Sequence, residues 1–171
     1  MGVLSQINEQ SKGIVPQSLE FIFSSLEELQ SENLISDWKV HISFFQIYLE
    51  QVSDLLNPQA QKMSIREEQG EVFVGDLVEV PVETLDQAMN IVNAGLSYRK
   101  MASQAMNDTS SRSHTILHID VYQTRHRQDS SSADQVEYLK GRLVLVDLAG
   151  SERVSKTQSK GVRFEEAKHI N

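Results

Sequence analysis

The chain has 171 residues, 39% of them hydrophobic, with a formal net charge of −8 and no cysteine. That length suits one domain able to bury its own core, and the composition excludes disulfides and thiolate metal sites. No apolar run nears the ~18 residues of a membrane span, and Met1 to Lys12 lacks the basic and apolar regions of a signal peptide, so a soluble intracellular protein without a membrane partner is expected.

Charge is unevenly spread. From Lys140 onward seven basic residues stand against four acidic ones, a local +3, which leaves −11 on the rest. Such a chain does not bind nucleic acid over its whole surface. Its basic terminal segment either meets an acidic partner or is a solvated loop with scattered lysines.

In chain order, Gly13-Ile14-Val15-Pro16 reads as a turn into a helix whose Leu19, Ile22, Phe23, Leu26 and Leu29 share one face. Trp38 to Leu49 is rich in aromatic and β-branched residues and predicts a long strand covered on both faces. Gln51 to Leu56 is expected to make a short helical turn stopped by Asn57-Pro58. Three strand-like pieces follow, Met63 to Ile65, Val72 to Val74 and Leu77 to Val80, separated by Gly70 and Gly75 and expected to form small hairpins.

Beyond Pro81, Thr84 and Gln87 have capping-box spacing. They open a helix with Leu85, Ala88, Met89 and Val92 as its buried stripe, expected to end near Gly95. Ser97 to Ser113 is polar without apolar period and reads as a loop or irregular helix, of a length that tends to be functional. His114 to Thr124 alternates as a strand with Leu117, Ile119 and Val121 on one side. A Ser-rich connection, Asp129 to Gln135, joins it to a second arm, Val136 to Asp147, as an antiparallel pair. Ser151 to Gly161 is polar, and Phe164 to Asn171 begins a helix.

Two stretches carry chemistry. Leu143, Val144, Leu145 and Val146 read as a strand buried on both faces, stopping at Asp147. Ligands of open α/β sheets gather at the carboxyl ends of strands. There, Asp147 can hold Mg²⁺ through water, and the glycine at 150 lets a backbone N–H approach a phosphate. The same letters also suit a buried strand followed by an Asp-capped turn.

The second stretch is Asn107-Asp108-Thr109-Ser110-Ser111-Arg112-Ser113-His114. It offers hydroxyls for Mg²⁺ and phosphate and a planar guanidinium fork. If the two strands are neighbours, Arg112 can pair with Glu152, and two loops close around a γ-phosphate and part after its loss. Alternatives are a surface phosphorylation segment, structural histidines at 114 and 118, or a hydrolase set of Ser113, His114 and Asp120. The last is discounted, because adjacent strand residues face opposite ways and no G-x-S-x-G elbow is present.

Together, Asn107-x-x-Ser110-Ser111-Arg112-Ser113-His114 and Asp147-Leu148-Ala149-Gly150-Ser151-Glu152 resemble switch I and switch II of the kinesin motor domain. The resemblance covers nearly the whole chain. Gly13 to Pro16 is similar to the entry of the helix after the phosphate loop, Phe44 to Tyr48 through Asp54-Leu55-Leu56 to a Tyr-rich strand and its turn, and Glu166 to Asn171 to the start of the switch II helix.

The resemblance implies an α/β, P-loop NTPase-like kinesin motor fold. The chain would be the central part of a mixed β-sheet flanked by helices, incomplete at both ends, with residues 1–171 as one partial motor domain. It further implies a microtubule motor ATPase of the cytoplasmic cytoskeleton that uses ATP and Mg²⁺.

By that resemblance, Ser111 would ligate Mg²⁺, with Ser110 and Asn107 beside the phosphates and Asp147 holding the ion through water. Gly150 would offer its N–H to the γ-phosphate. The Arg112–Glu152 pair would latch the closed state and position the attacking water, and Arg99 would reach the same pocket. Arg153, Lys156, Lys168 and Asn171 would face acidic tubulin, in keeping with the +3 segment. The chain departs from the family in containing no G-x-x-x-x-G-K-[ST]. It is therefore expected to be the middle piece of a motor and inactive alone, with oligomerisation segments elsewhere. A non-catalytic tubulin-binding module is the alternative.

Overall fold

Gly13 is extended and leads into α1 (Ile14–Ser31), whose Pro16, Leu19, Phe23 and Leu26 are buried at helical spacing. Pro16 is tolerated because the N–H groups of the first turn have no helical partner to lose. Strand β1 (Asp37–Tyr48) follows; its run from Ile42 to Phe45 is buried without alternation, as in a strand covered on both faces. The computed structural model describes residues 12–60, 63–105, 112–127 and 135–150. The remaining elements are β2 (Gln51–Asp54), β3 (Ile65–Glu68), β4 (Glu71–Val74), β5 (Val80–Val82), α2 (Leu85–Ala105), β6 (His114–Arg127) and β7 (Gln135–Asp147). This is a mixed α/β fold. Four strands run in the order β2-β1-β6-β7, β5 joins the same sheet through β1, and β3-β4 form a separate hairpin.

Two compact units are drawn from these elements: Met1–Ile42, Val80–Ile91 and Ile119–Leu143 in one, Ser43–Glu79, Val92–His118 and Val144–Asn171 in the other. In the first, Phe23 meets Trp38 edge-on at 5.8 Å, and the Trp38 indole N–H donates to Gln30 Oε1 at 3.0 Å, so the ring's apolar body and polar tip are both satisfied. Strand β5 pairs antiparallel with β1, Pro81 opposite His41. In the second, Phe45, Val52, Met63 and Ile116 form a buried cluster with Ile47, Ala60, Val74 and Leu77 against it.

Several expectations are overturned. Gln51 to Leu56 is not a helical turn: β2 occupies Gln51–Asp54, antiparallel to β1 with Tyr48 opposite Gln51. Leu49 and Glu50 both take positive φ, 47° and 60°, the geometry of a two-residue hairpin turn. Neither residue is the Gly or Asn that announces such a turn, so the sequence hides it. Of the piece Leu77 to Val80, only Val80 belongs to a strand, and Pro81 lies inside that strand rather than after it.

Helix α2 opens as expected: the Thr84 hydroxyl accepts the Gln87 N–H at 3.2 Å, and the Gln87 side chain accepts the Glu83 N–H at 2.8 Å. It does not stop at Gly95 but continues to Ala105, taking in the first part of the stretch read as a loop or irregular helix. Gly95 is a contact residue, not a cap. A Cβ there would lie 2.3 Å from Phe44 Cδ1 and 3.3 Å from Leu56 Cδ2. The apolar run at the end of β7 is also less covered than predicted, with Val144 44% and Val146 52% exposed, β7 being the last strand in the described order.

Asp54, 3% exposed, shows how buried charge is satisfied here. Its Oδ1 accepts the N–H groups of Leu56 (2.7 Å) and Asn57 (3.2 Å), and its Oδ2 that of Val78 (3.0 Å). Asp54→Ala should cost about 2–3 kcal/mol by urea denaturation, since three part-buried donors lose their acceptor. Gly95→Ala should also destabilise. The helix-propensity gain of about 1 kcal/mol is outweighed by about 1–3 kcal/mol of overpacking against a buried ring. Phe44→Leu in the same chain should recover part of that loss, and strictly additive losses would refute the contact.

Candidate functional site

The described site lies in the second unit, where α2, the start of β6 and the end of β7 each contribute one polar group. Val92, Gly95 and Arg99 recur at helical spacing, so the face that packs close at Gly95 also carries Arg99. Arg99 Nη2 donates to the backbone carbonyl and to Oγ of Ser113, both at 3.4 Å, while its Nη1 lies 3.3 Å from Asp147 Oδ2. Ser113 is 1% exposed, and the Arg99 side chain is largely buried. One guanidinium thus spans the residue preceding β6 and the last residue of β7.

The two ends of that bridge differ. Asp147 is 75% exposed, so solvent screens its attraction to Arg99 and the ion pair itself is weak. The buried Ser113 end anchors the arginine. A second tie runs between the same strand ends: His114 Nδ1 accepts the Ala149 N–H at 3.1 Å. What remains is an accessible carboxylate at a strand terminus, a cation beside it and a glycine at position 150.

A second carboxylate in this part of the sequence is buried and differently used. Asp120, 1% exposed, takes a two-pronged bond from Arg142, Nε to Oδ1 at 2.6 Å and Nη2 to Oδ2 at 2.7 Å, within the first unit. Ser113 faces Arg99, His114 holds Ala149 and Asp120 is committed to Arg142, so the hydrolase set stays discounted. Among the described residues no cluster of three or more His, Asp or Glu side chains could hold a metal ion unaided.

Of the sequence-predicted site residues, Arg99, Asp147 and Gly150 fall in this unit, and the first two touch. Arg112 is described and half-buried, one position before Ser113. Asn107, Ser110, Ser111, Glu152, Arg153, Lys156, Lys168 and Asn171 lie outside the described residues, as does most of the Ser-rich connection Asp129 to Gln135. Sequence reasoning gave no role to Ser113 as the seat of Arg99 or to the Nδ1 of His114. Their signal was position alone, at the junction of a polar loop and a strand.

With this geometry in hand, comparison with known proteins is specific. The profile of the kinesin motor domain matches residues 2–171. The kinesin heavy chain of Syncephalastrum racemosum is 40% identical over 165 residues, which are 96% of this chain and 17% of that protein. Human kinesin-1 heavy chain is 37% identical over 163 residues, 95% of this chain and 16% of its own length. A solved fast kinesin, described for its ATPase mechanism and interactions with microtubules, superposes with a TM-score of 0.80 at 35% identity, over 97% of this chain and 45% of that one.

The fold is that of a kinesin motor domain, and the chain belongs to the kinesin motor-domain family. It spans about a sixth of the length of these curated relatives and under half of the solved motor.

The asymmetry of the bridge is measurable. Arg99→Ala should cost about 1–3 kcal/mol of unfolding free energy, because Ser113 is left buried without its donor. Asp147→Asn should cost less than about 0.5 kcal/mol, the loss of an exposed ion pair. Equal effects in urea denaturation would refute this division.

Proposed function

We propose that this chain is part of a microtubule motor ATPase, and that its two polar turns, 107–114 and 147–152, couple ATP hydrolysis to microtubule attachment. The observation that carries this reading is Arg99 reaching both Ser113 and Asp147, the residues where the two motifs meet their strands. The donor set suits the magnesium nucleotide of this family: Asp147 is exposed enough to act through water, and Gly150 has no Cβ to hinder a phosphate.

Bound Mg²⁺ would neutralise charge on the terminal phosphates. In this reading Ser111 and, through water, Asp147 would hold that ion, with Ser110, Asn107 and Arg99 beside the phosphates. The Gly150 N–H bonds the γ-phosphate. Arg112 and Glu152 latch the two turns when ATP is bound and fix the attacking water; loss of the γ-phosphate removes what they close upon. Arg153, Lys156, Lys168 and Asn171 meet the acidic tubulin surface, which places the whole protein on the cytoplasmic microtubule cytoskeleton. Residues 1–171 act as one part of a single motor domain.

Extending the reading frame tests this most directly. An in-frame G-x-x-x-x-G-K-[ST] shortly upstream is the expected result; a stop codon there instead would favour a tubulin-binding module without nucleotide chemistry. The 171 residues alone should release no phosphate in response to microtubules, whereas the protein extended through the phosphate loop should. In that longer protein Glu152→Ala should cut hydrolysis by about 10² or more while sparing ATP binding, and microtubule affinity should fall as salt rises. Turnover retained in Glu152→Ala would remove the role given to that residue.

A further inference from the structure

Beyond β7 the backbone leaves the sheet, and residues 148–150 have no regular secondary structure. Packing does little to hold them: Leu148 is 70% exposed, and Ala149 and Gly150 are half-covered. A segment of this kind is placed by its backbone hydrogen bonds. The one from Ala149 N–H to His114 Nδ1, at 3.1 Å, ties it to the first residue of β6. Two positions earlier, Asp147 is tied to Arg99.

We propose that His114 is a positioning residue for the 147–150 turn, its Nδ1 gripping Ala149 N–H so that the adjoining Gly150 N–H is held ready for phosphate. This rests on the γ-phosphate reading of that turn. An imidazole nitrogen accepts a hydrogen bond only when it carries no proton, so His114 acts as the neutral ring with its proton on Nε2. The acceptor sits on a short side chain at a strand start, a lever with little freedom. Asn can place Oδ1 where Nδ1 lies, whereas Phe keeps the ring and offers no acceptor.

The test combines a structural and a kinetic reading of His114→Phe and His114→Asn in the full-length protein. The ¹⁵N signal of His114 should show an unprotonated Nδ1. In His114→Phe, amide exchange at Ala149 should speed up about tenfold, and kcat for ATP should fall by a similar factor with KM changed less than about twofold. His114→Asn should restore both. Unaltered Ala149 exchange in His114→Phe would show that the bond does not hold the turn. Faster exchange with unaltered kcat would show that holding it does not serve the reaction. Equal loss of kcat in both variants would leave a structural role only, and each of these results overturns the proposal. Absence of ATP turnover in the wild-type protein would instead remove the motor reading and this role with it, while the exchange experiment still reports whether the bond exists.

Discussion

One largely buried arginine holds the site together. Arg99 places its guanidinium between the Ser113 backbone and the Asp147 carboxylate, so the end of one strand and the beginning of another are referred to a single rigid, always charged group. Its individual contacts are long, 3.3 to 3.4 Å, and its exposed end is weak. Geometry more than energy is what it supplies. A planar fork fixes two acceptors at once, which a lysine ammonium does not.

Arg99 reaches that place because of a close contact one helical turn earlier. Gly95 lets α2 approach Phe44 and Leu56 to a distance that a Cβ would forbid, and the residue four positions on shares its face. The conformational cost of glycine within a helix, about 1 kcal/mol, is offset by the packing it allows. Core packing around Phe44 and the polar site are thus consecutive parts of one helix face.

The aspartates divide by what surrounds them. Asp54 and Asp120 are almost wholly buried, and protein donors occupy their oxygens: three backbone N–H groups on the first, the Arg142 fork on the second. Such carboxylates are structural, since releasing an oxygen to a ligand would strand a buried donor. Asp147 is the exposed member at a strand end, with one oxygen near Arg99, and it alone of the three is open to solvent and a hydrated cation.

The sequence by itself determined the elements whose signal is local and the family to which they belong. Helical spacing marked α1 and the buried part of α2, β-branched and aromatic density marked β1, and the motifs around Ser111 and Asp147 marked the family, because those patterns are written in consecutive side chains. Only tertiary structure decided that Leu49 and Glu50 turn a hairpin with positive φ, that Gly95 is a contact and not a stop, and that Arg99, Ser113, His114, Asp147 and Ala149 gather in one place. Each of those outcomes depends on a partner tens of residues away or on backbone angles that the residue type does not announce. Glycine at 95 reads as a break until Phe44 lies against it.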